Sequence, residues 1–395
     1  MAYQSGRNIR VAYKQESQFG VLPGAADAKI FRINSGGLNL AKEPINSGEL
    51  RSDGMSTRGR HGTRSVTGNY VADLSVGTFD DLLEAVFRSA FLPALTLTET
   101  DFTSITTTAN TIVFASGSPI GLGLRIGDVI RLTDHATAGN NNRNLRIVDL
   151  DATTITVAET LILDASADTD ATITRPKTLI QGTTARSFTF EEYEADIDGT
   201  EIFTGCRVGS VQLQLQPNGM ATLTFAMVGQ DMDVLDAASA PYFTAPTKTV
   251  TIGLTAVEAR IMLGDQDVMD VSSIDMTLTL NASGVPVVGS NLTPDVFTNS
   301  AQVNLSVTAL KKDVERARQY LDEDQLSLHL LFEENETGAA DFCAFFIPNL
   351  TLASATKSDL GQDNARTQTF TCLVGVDERG GAHDLTMVKY QTSAA

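Results

Sequence analysis

The sequence contains no tryptophan, and aromatic residues make up only 6% of it. With so few rings available to stack against a sugar, a carbohydrate-binding site is disfavoured. Cysteine is also scarce: Cys206, Cys343 and Cys372 are odd in number and show no CxxC spacing. This argues against a disulfide framework and a cysteine-based zinc site, and indicates small core residues in a reducing compartment.

Basic residues are few as well, since 29 Lys and Arg stand against 48 Asp and Glu and give a net charge of −19. Phosphate binding needs clustered basic side chains, so this balance argues against a protein that grips nucleic acid or an anionic membrane. No segment approaches the ~20 apolar residues of a membrane span. The first residues lack the apolar stretch of a signal peptide, so we expect none.

A regular alternation of apolar and polar residues favours β-structure over most of the chain. In the clearest example, residues 211–216 alternate, Pro217, Asn218 and Gly219 follow, and the alternation resumes at 223–227. Asn-Gly between two alternating runs is a strong hairpin signal, because both residues accept a positive φ. One wet face and one buried face predict an antiparallel sheet against a core, and hence a mainly β fold.

Two segments have helical periodicity instead. The first carries an apolar stripe formed by Phe79, Leu82, Leu83, Val86 and Phe87, spaced as on one face of a helix. We expect Thr78, three residues before Asp81, to cap this helix and Pro93 to end it. The second stripe is weaker and consists of Leu310, Val314, Ala317 and Leu321.

The same order of elements occurs twice along the chain. Each half reads strand, strand, helix, strand, strand, and Leu-Ser-Val precedes both helices, at residues 74–76 and 305–307. The last two strands of the second half are joined by a turn at Gly361. We therefore predict two tandem β-sandwich or half-barrel domains, each with a flanking α-helix: residues 1–94 together with 178–240, and residues 241–395.

Residues 95–177 have no counterpart in the second half. They are rich in threonine and contain short alternating runs, such as 127–132 and 144–148, separated by tight turns. This pattern favours a small all-β domain inserted in a surface loop of the first domain. Tolerated insertions lie on exposed loops, so we expect it on the exterior of any assembly, where its excision would leave assembly possible.

No group of residues has the spacing of a catalytic or metal site. The four histidines are far apart, and Asp164, Asp168 and Asp170 lack the Glu that a calcium loop needs at its twelfth position. The carboxylates at 191–192 and 196–198 could form an acid–base pair, but no nucleophile accompanies them, so we interpret them as an exposed strand end. We predict no enzyme, no cofactor and no metal.

Two long polar segments occupy matching positions in the two halves, at residues 42–65 and about 284–302. A loop of about 20 residues inside a compact domain is usually functional or disordered. The alternatives are a solvated loop and a contact arm that becomes ordered on assembly. Our candidates for such contacts in the first segment are Ser47, Glu49, Arg51, Asp53, Arg58, Arg60 and Arg64.

Several blocks of sequence carry a resemblance to a known family. The pattern E-S-x-F-G-x-x-P occurs at residues 16–23, and further blocks follow at 47–53, 66–68 and 74–85. Residues 123–130, with two asparagines at 140–141, are similar to an insert seen in such proteins. In this order the blocks resemble the tail tube (major tail) proteins of phages with long, non-contractile tails.

The resemblance implies a structural virion protein, made in the host cytoplasm, whose side-by-side sheets form a continuous barrel around a lumen. It implies stacked rings, long loops that reach the next ring, and double-stranded DNA that passes through without specific binding. Members with two tandem folds form homotrimeric rings with pseudo-sixfold symmetry, and the internal repeat places this chain with them. The implied partners are further copies of the chain, the tape measure protein, the tail terminator and distal tail or baseplate proteins.

An acidic lumen would repel DNA over about one Debye length, ~10 Å, so we expect a large part of the net charge to line it. Two other classes of protein stay open: an extracellular β-rich adhesin or carbohydrate-binding protein, and an acidic hydrolase. Glycan binding would favour the first. Turnover that is lost in Glu191→Gln or Asp196→Asn would favour the second.

Overall fold

Antiparallel strands are the main regular structure in the computed structural model of the chain, which describes residues 3–264, 266–268, 270–334, 338–360 and 365–394. The expected mainly β fold is confirmed. The turn expected at Gly361 lies outside the described residues.

The first half begins with four strands and a helix, namely β1 (Ile9–Gln15), β2 (Lys29–Ile30), β3 (Ser35–Ile45), β4 (Arg60–Asp73) and α1 (Asp80–Phe87). The insert follows, with β5 (Leu95–Leu97), α2 (Glu99–Phe102), β6 (Ile105–Thr107), β7 (Thr111–Phe114), β8 (Val129–Thr133), β9 (Leu145–Leu150), β10 (Thr154–Val157) and β11 (Thr172–Arg175). The first half is completed by β12 (Thr178–Leu179), β13 (Phe188–Glu194), β14 (Gly199–Leu215), β15 (Thr222–Gly229) and β16 (Asp231–Asp236).

The second half follows. Its elements are β17 (Ala259–Leu263), β18 (Gln266–Asp267), β19 (Val271–Thr279), β20 (Ser283–Gly284), β21 (Val296–Phe297), β22 (Gln302–Leu310), α3 (Glu315–Asp322), β23 (Leu326–Glu333), β24 (Phe342–Lys357), β25 (Thr367–Val374) and β26 (Lys389–Thr392). Strand β26 pairs with both β24 and β12, so the C-terminal segment ties the second half to the first.

An eight-stranded antiparallel sheet runs through both halves, in the order β3-β4-β15-β14-β19-β22-β25-β24. The halves meet where β14 pairs with β19, from Ser210 opposite Thr279 to Leu215 opposite Ile274. The predicted hairpin of β14 and β15 is confirmed, with Asn218 in its turn at φ 58°. Alternate residues point into the core, and this fixes the register because a slip of one residue would expose the apolar set.

A second layer covers one face of this sheet in each half. In the first half it consists of β2, β1, β13, the beginning of β14, and β16. In the second half it consists of β18, β17, β23, the beginning of β24, and β26. The long strands β14 and β24 take part in both layers, so each half is a sandwich joined along one side.

The strand pairings of the two halves match down to their irregularities. The register between β13 and β14 shifts between Phe188 and Phe190, and that between β23 and β24 shifts between Leu326 and Leu328. Further along the same strands, a second shift lies between Val208 and Ser210 and its counterpart between Leu352 and Ser354. Two bulges at equivalent places establish which residues of the halves correspond.

The two helices differ in what they bury. Helix α1 places its predicted stripe in the core, and Phe79, Leu82, Leu83, Val86 and Phe87 are all at most 1% exposed. Its predicted ends were wrong: Phe79 is the N-cap residue and Arg88, in the left-handed region, ends the helix. Thr78 instead hydrogen-bonds Ser75 and Thr249. Helix α3 covers only the later part of the second stripe, because Leu310 ends β22 and Val314 is the N-cap, and the helix buries none of its residues.

The insert is a seven-stranded sheet in the order β5-β11-β8-β9-β10-β7-β6, folded around its own apolar core. It is attached to the outer layer of the second half. Arg146 and Asn144 bind Asp267 and Glu333 at 2.8 and 2.7 Å, and Lys389 of β26 binds Asp128 at 2.9 Å. The insert is therefore fixed by buried charged groups to the half that does not contain it in sequence.

Candidate assembly surfaces

The eight-stranded sheet ends in two unpaired edges. Among the described residues, β3 pairs only with β4, and the last part of β24, from Thr351 to Lys357, pairs only with β25. The outer residues of both segments are exposed. An open edge offers a row of backbone donors and acceptors and is a template for pairing with another chain.

The chain already contains one example of the joint that these edges could make. Strand β24 corresponds to β14 in the repeat, and β3 corresponds to β19, as the matching registers show. Since β14 and β19 are paired within the chain, the open edges of β24 and β3 have strand directions and registers that allow the same antiparallel pairing. One copy can thus add the edge of the next in the way its own halves are joined.

The open face of the eight-stranded sheet is lined with neutral polar side chains. Hydroxyl groups form short ladders across it, with Thr308 3.0 Å from Thr369 and Ser354 2.6 Å from Thr371. Other residues that alternate with core positions on this face are Ser210, Gln212, Gln214, Thr222, Thr224, Asn304, Ser306 and Thr356. The face therefore presents hydroxyl and amide groups rather than a charged surface.

Few charges lie on this face among the described residues. Asp275 on β19 accepts hydrogen bonds from Gln212 and Gln214 at 2.7 and 3.0 Å. At the ends of the strands, Asp73 accepts one from Asn34 at 2.6 Å and Arg207 binds Asp295 at 2.8 Å. The expectation that a large part of the net charge lines one inner wall is not supported for this face.

The sheet has two different ends. Strands β4 and β22 are four antiparallel steps apart and therefore run in the same direction. The loops that precede them, 46–59 and 280–301, emerge at one end, which we call the loop end. The helices α1 and α3, which follow these strands, lie at the opposite helix end. The two ends are chemically distinct, so contacts between copies stacked end to end would be heterologous and would propagate.

The family is decided by sequence comparison, now that the geometry is known. The model of the phage tail tube protein family matches residues 6–373. The chain belongs to this family. No curated protein matches the chain.

As a member of this family, the chain is a structural component of the virion that assembles with itself and with other tail proteins. The family is not an enzyme family. No described helix is long and apolar enough to cross a membrane.

The candidate contact residues lie on the loop between β3 and β4 and on the start of β4. Ser47, Glu49, Arg51, Asp53 and Arg58 belong to the loop, which is shorter than expected because both strands extend into the segment. Arg60 and Arg64 lie in β4 instead, and Arg64 binds Asp231 of the same chain at 2.9 Å. The helix residues proposed to flank the subunit pack into the chain's own core.

The interpretation of residues 191–192 as an exposed strand end was wrong. Glu191 is fully buried, where it binds Arg10 at 3.0 Å and accepts the backbone N–H of Tyr242. Glu192 accepts the Tyr70 hydroxyl at 2.6 Å, and burial raises the pKa of its carboxyl. Each carboxylate is occupied by fixed structural partners, and the described residues contain no cluster of three metal-binding side chains.

Proposed function

We propose that three copies of the chain form a closed ring and that stacked rings form the tail tube through which double-stranded DNA passes. The observation that carries this proposal is the pairing of β14 with β19, which joins two equivalent half-sheets within one chain. Repeating this joint between chains gives six similar units per ring. Closure removes the exposed edges, which open sheets must otherwise protect.

The joint within the chain specifies the register between chains. Gln212 lies opposite Thr277 in the chain, and their equivalents in the repeat are Thr356 and Asn39. We therefore expect Thr356 opposite Asn39 of the next copy, with Ala355 opposite its Leu40. The first pair would place two polar side chains on the open face, and the second would place two apolar side chains toward the core.

The size of such a ring suits a duct. Three eight-stranded sheets give 24 strands, which at about 4.8 Å apart have a circumference of about 115 Å and a diameter of about 37 Å before tilt widens it. Barrels of 16–18 strands already leave an aqueous channel. The barrel would be wide enough for a lumen after side chains are added.

The wall of this lumen would be the neutral open face. Phosphate affinity comes from Lys and Arg that release counterions, and the strands offer hydroxyl and amide groups instead. DNA would then meet little attraction to break as it moves. A reconstructed tube whose inner wall showed rows of Lys or Arg would contradict this part of the proposal.

The domain organisation remains a proposal with one refinement. Residues 241–258 bond to the first half, as in Thr247 N–H to the Ala28 carbonyl and Leu254 N–H to the Leu74 carbonyl, so we place the start of the second domain near β17. The insert lies against the layer opposite the open face, so we propose that it stands outside the tube.

The tape measure, terminator and distal tail proteins are proposed as partners of the lumen and the two tube ends. Synthesis in the host cytoplasm is proposed as well.

Electron microscopy of the purified protein, or of tails that contain it, tests the proposal. We expect hollow tubes whose rings hold three chains. Rings of six full-length chains would keep the tube and refute the trimer. A protein that never assembles, in tubes or in tails, would refute the function.

A disulfide tests the register. Asn39→Cys with Thr356→Cys should link neighbouring chains on mild oxidation and give a covalent trimer on a non-reducing gel. Gln212→Cys with Thr277→Cys is the matched control, because the same geometry should link residues within one chain. Gly37→Cys with Thr356→Cys lies two residues out of register. More linkage in that pair than in the first would refute the proposed register.

A further inference from the structure

The joint between the two halves of the chain is made in both layers of the fold. In the eight-stranded sheet β14 pairs with β19, and in the outer layer β12 of the first half pairs with β26 of the second, with Leu179 opposite Tyr390. The ring of Phe91, from the first half, lies 6.1 Å from the Tyr390 ring. Tyr390 is consequently only 1% exposed.

Strand β16 is the counterpart of β26 in the first half, but nothing in its own chain covers it in the same way. Counted from the first bulge, Glu201 corresponds to Phe345, and the residues opposite them, Val234 and Tyr390, correspond as well. Val234 is 59% exposed where Tyr390 is buried. Among the described residues β16 pairs only with β14, so its other edge is open.

The proposed ring would place β16 beside the second half of a neighbouring copy. When β24 of one copy joins β3 of the next, the second half of the first copy takes the place that the first half has in the chain's own joint. Any cover for β16 in the ring would therefore come from that second half, as the cover of β26 comes from the first half.

The second half has no counterpart of β12 or Phe91 to supply this cover. Only residues 323–325 separate α3 from β23, whereas residues 88–187, which include the insert, separate α1 from β13. Helix α3 itself is thus the element of the second half that stands at this place in the repeat.

The segment before α1 shows how the beginning of a helix meets the next half. Gly77 lies two residues before the N-cap of α1, and Ala394 lies two residues after β26. A Cβ at Gly77 would be only 2.9 Å from the Ala394 Cβ. Lys312 lies two residues before the N-cap of α3, so by the repeat it would face residues 236–238 of the next copy.

Helix α3 and β16 both expose apolar side chains at this place. No residue of α3 is buried, Leu321 is 76% exposed, and Val314 at its N-cap is 62% exposed. Strand β16 presents Met232 and Val234 on one face, since alternate residues of a strand point the same way. Contact between the two surfaces would remove these side chains from water.

The charges of the two surfaces are complementary. Residues 311–318 carry four Lys and Arg and two Asp and Glu, whereas residues 231–236 carry three Asp and no basic residue. Asp233 and Asp236 are exposed and form no ion pair with the described residues. The acidic residues 322–324 lie at the other end of α3, about 12 Å away. A basic helix start opposite an acidic strand favours this pairing over others.

We propose that α3 of one copy, with residues 311–314 before it, covers β16 of the next copy in the same ring, and that Lys312 pairs there with Asp236. The inference rests on the proposed ring of three chains and names the outer layer of its joint. Between chains a helix takes the place that β12 has within the chain. The contact lies within one ring and involves neither of the long loops.

Thiol labelling tests this cover. In a Cys372→Ser background, Val234→Cys and Val314→Cys should react with a maleimide in the unassembled chain and at least tenfold more slowly in tubes. Leu163→Cys, 68% exposed on the insert, is the control and should react equally in both. Unchanged reactivity of the first two variants in tubes would overturn the inference. Protection of Val314→Cys only in complete tails would mean that another tail protein covers α3, and would overturn it too.

Exchange of the charges gives a second readout. Lys312→Asp and Asp236→Lys should each raise the protein concentration needed for tubes, measured by sedimentation, by roughly tenfold, because like charges then face each other. The double variant should recover. Lys248→Asp reverses another exposed lysine and should have no such effect.

The outcomes separate this contact from the ring itself. A double variant that assembles no better than either single variant would overturn the contact, while a covalent trimer through Asn39→Cys and Thr356→Cys would leave the ring standing. Wild-type protein that forms no rings would overturn the proposed function, and the contact with it.

Discussion

The two halves share their strand pairings and differ in how their sandwiches are filled. In the first half, α1 supplies five buried apolar side chains to the core. In the second, α3 supplies none and a cavity of about 710 Å³ lies beneath it. The comparison teaches that a repeated backbone does not imply repeated packing: the helix of one half fills its core, and the helix of the other does not.

The outer layers show the same divergence. Glu191 and His329 occupy equivalent positions beside the first bulge, and both are fully buried. Glu191 is covered by the segment around Tyr242 and neutralised by Arg10. His329 is covered by the insert, where its ring nitrogen lies 3.3 Å from the Gly127 carbonyl. The same sheet position is thus buried by unrelated parts of the chain.

Excision of the insert should reduce the stability of the chain more than any other change considered below, and it should do so in the second half. Replacing residues 95–177 by a short Gly-Ser linker would uncover His329 and Glu333 and remove the Asp128 partner of the buried Lys389. The expectation that assembly tolerates this excision is untested, and these contacts argue against it. We expect a loss on the order of a whole domain's stability, seen as insoluble chain.

Shortening the loop 46–59 between β3 and β4 to a Gly-Ser turn is the control for that excision, because the hydrogen bonds and ion pair described for this loop lie within it. The shortened chain should stay soluble and unfold at the wild-type temperature. An excised chain that unfolded at the same temperature as the full chain would show that the second half is complete without the insert.

The two helix starts offer a matched pair of substitutions. Phe79→Ala removes a side chain that is 1% exposed and should lower the free energy of unfolding by about 3–5 kcal/mol. Val314→Ala, at the equivalent position of α3, changes a side chain that is 62% exposed and should stay within about 0.5 kcal/mol. Urea unfolding of both variants measures the difference, and equal losses would mean that α3 is packed like α1.

Two asparagine–carboxylate hydrogen bonds differ in burial: one lies at the junction between the insert and the second half, and the other lies at the surface. Asn144 donates to the buried Glu333 at 2.7 Å, so Asn144→Ala should cost about 1.5–3 kcal/mol. Asn34 donates to Asp73 at 2.6 Å in an exposed setting, so Asn34→Ala should cost less than about 0.5 kcal/mol. Should the two losses prove equal, the junction would be solvated rather than closed.

The buried His329 predicts the smallest of these effects, an acid sensitivity located in the second half. Burial, followed by the charge of Arg146, lowers its pKa to about 3, whereas an unfolded histidine keeps a pKa near 6.5. The unfolded chain therefore binds a proton below pH 6.5 that the folded chain refuses, and stability is lost progressively as the pH falls from 6.5 to 3.

His329→Gln should remove part of that loss, so that the drop in unfolding free energy from pH 7.5 to 5 becomes about 1–2 kcal/mol smaller. Urea titrations at the two pH values measure it. His61→Gln changes an exposed histidine and should leave the drop unchanged. A drop of wild-type size in His329→Gln would mean that the ring is protonated or solvated in the folded chain.

Much of the fold could be predicted from local pattern. The hairpin of β14 and β15 follows from Asn218 between alternating runs, and α1 from a stripe that is buried as its spacing indicates. These elements are set by neighbours within a few residues. The tandem repeat stays a prediction, and the matching register shifts of the two halves support it.

The rest depends on distant contacts that no local pattern carries. The stripe of α3 has helical spacing like that of α1, yet Leu321 is exposed, since burial depends on what packs above it. In the sequence Glu191 and Glu192 resemble solvated residues. In the fold they bind Arg10 and Tyr70, which lie on other strands. The attachment of the insert to the second half rests on Asn144 and Glu333, 189 residues apart, and has no sequence signature.

The pairing of β14 with β19 has a consequence for how fast a ring can close. Within the chain this joint forms during folding, as an intramolecular step with a high effective concentration. A ring of six separate half-sheets would need five bimolecular encounters, each with its own loss of translational and rotational entropy, before its last joint closed. The proposed trimer needs only two, so the fusion of two half-sheets in one polypeptide lowers the entropic barrier to nucleating a tube.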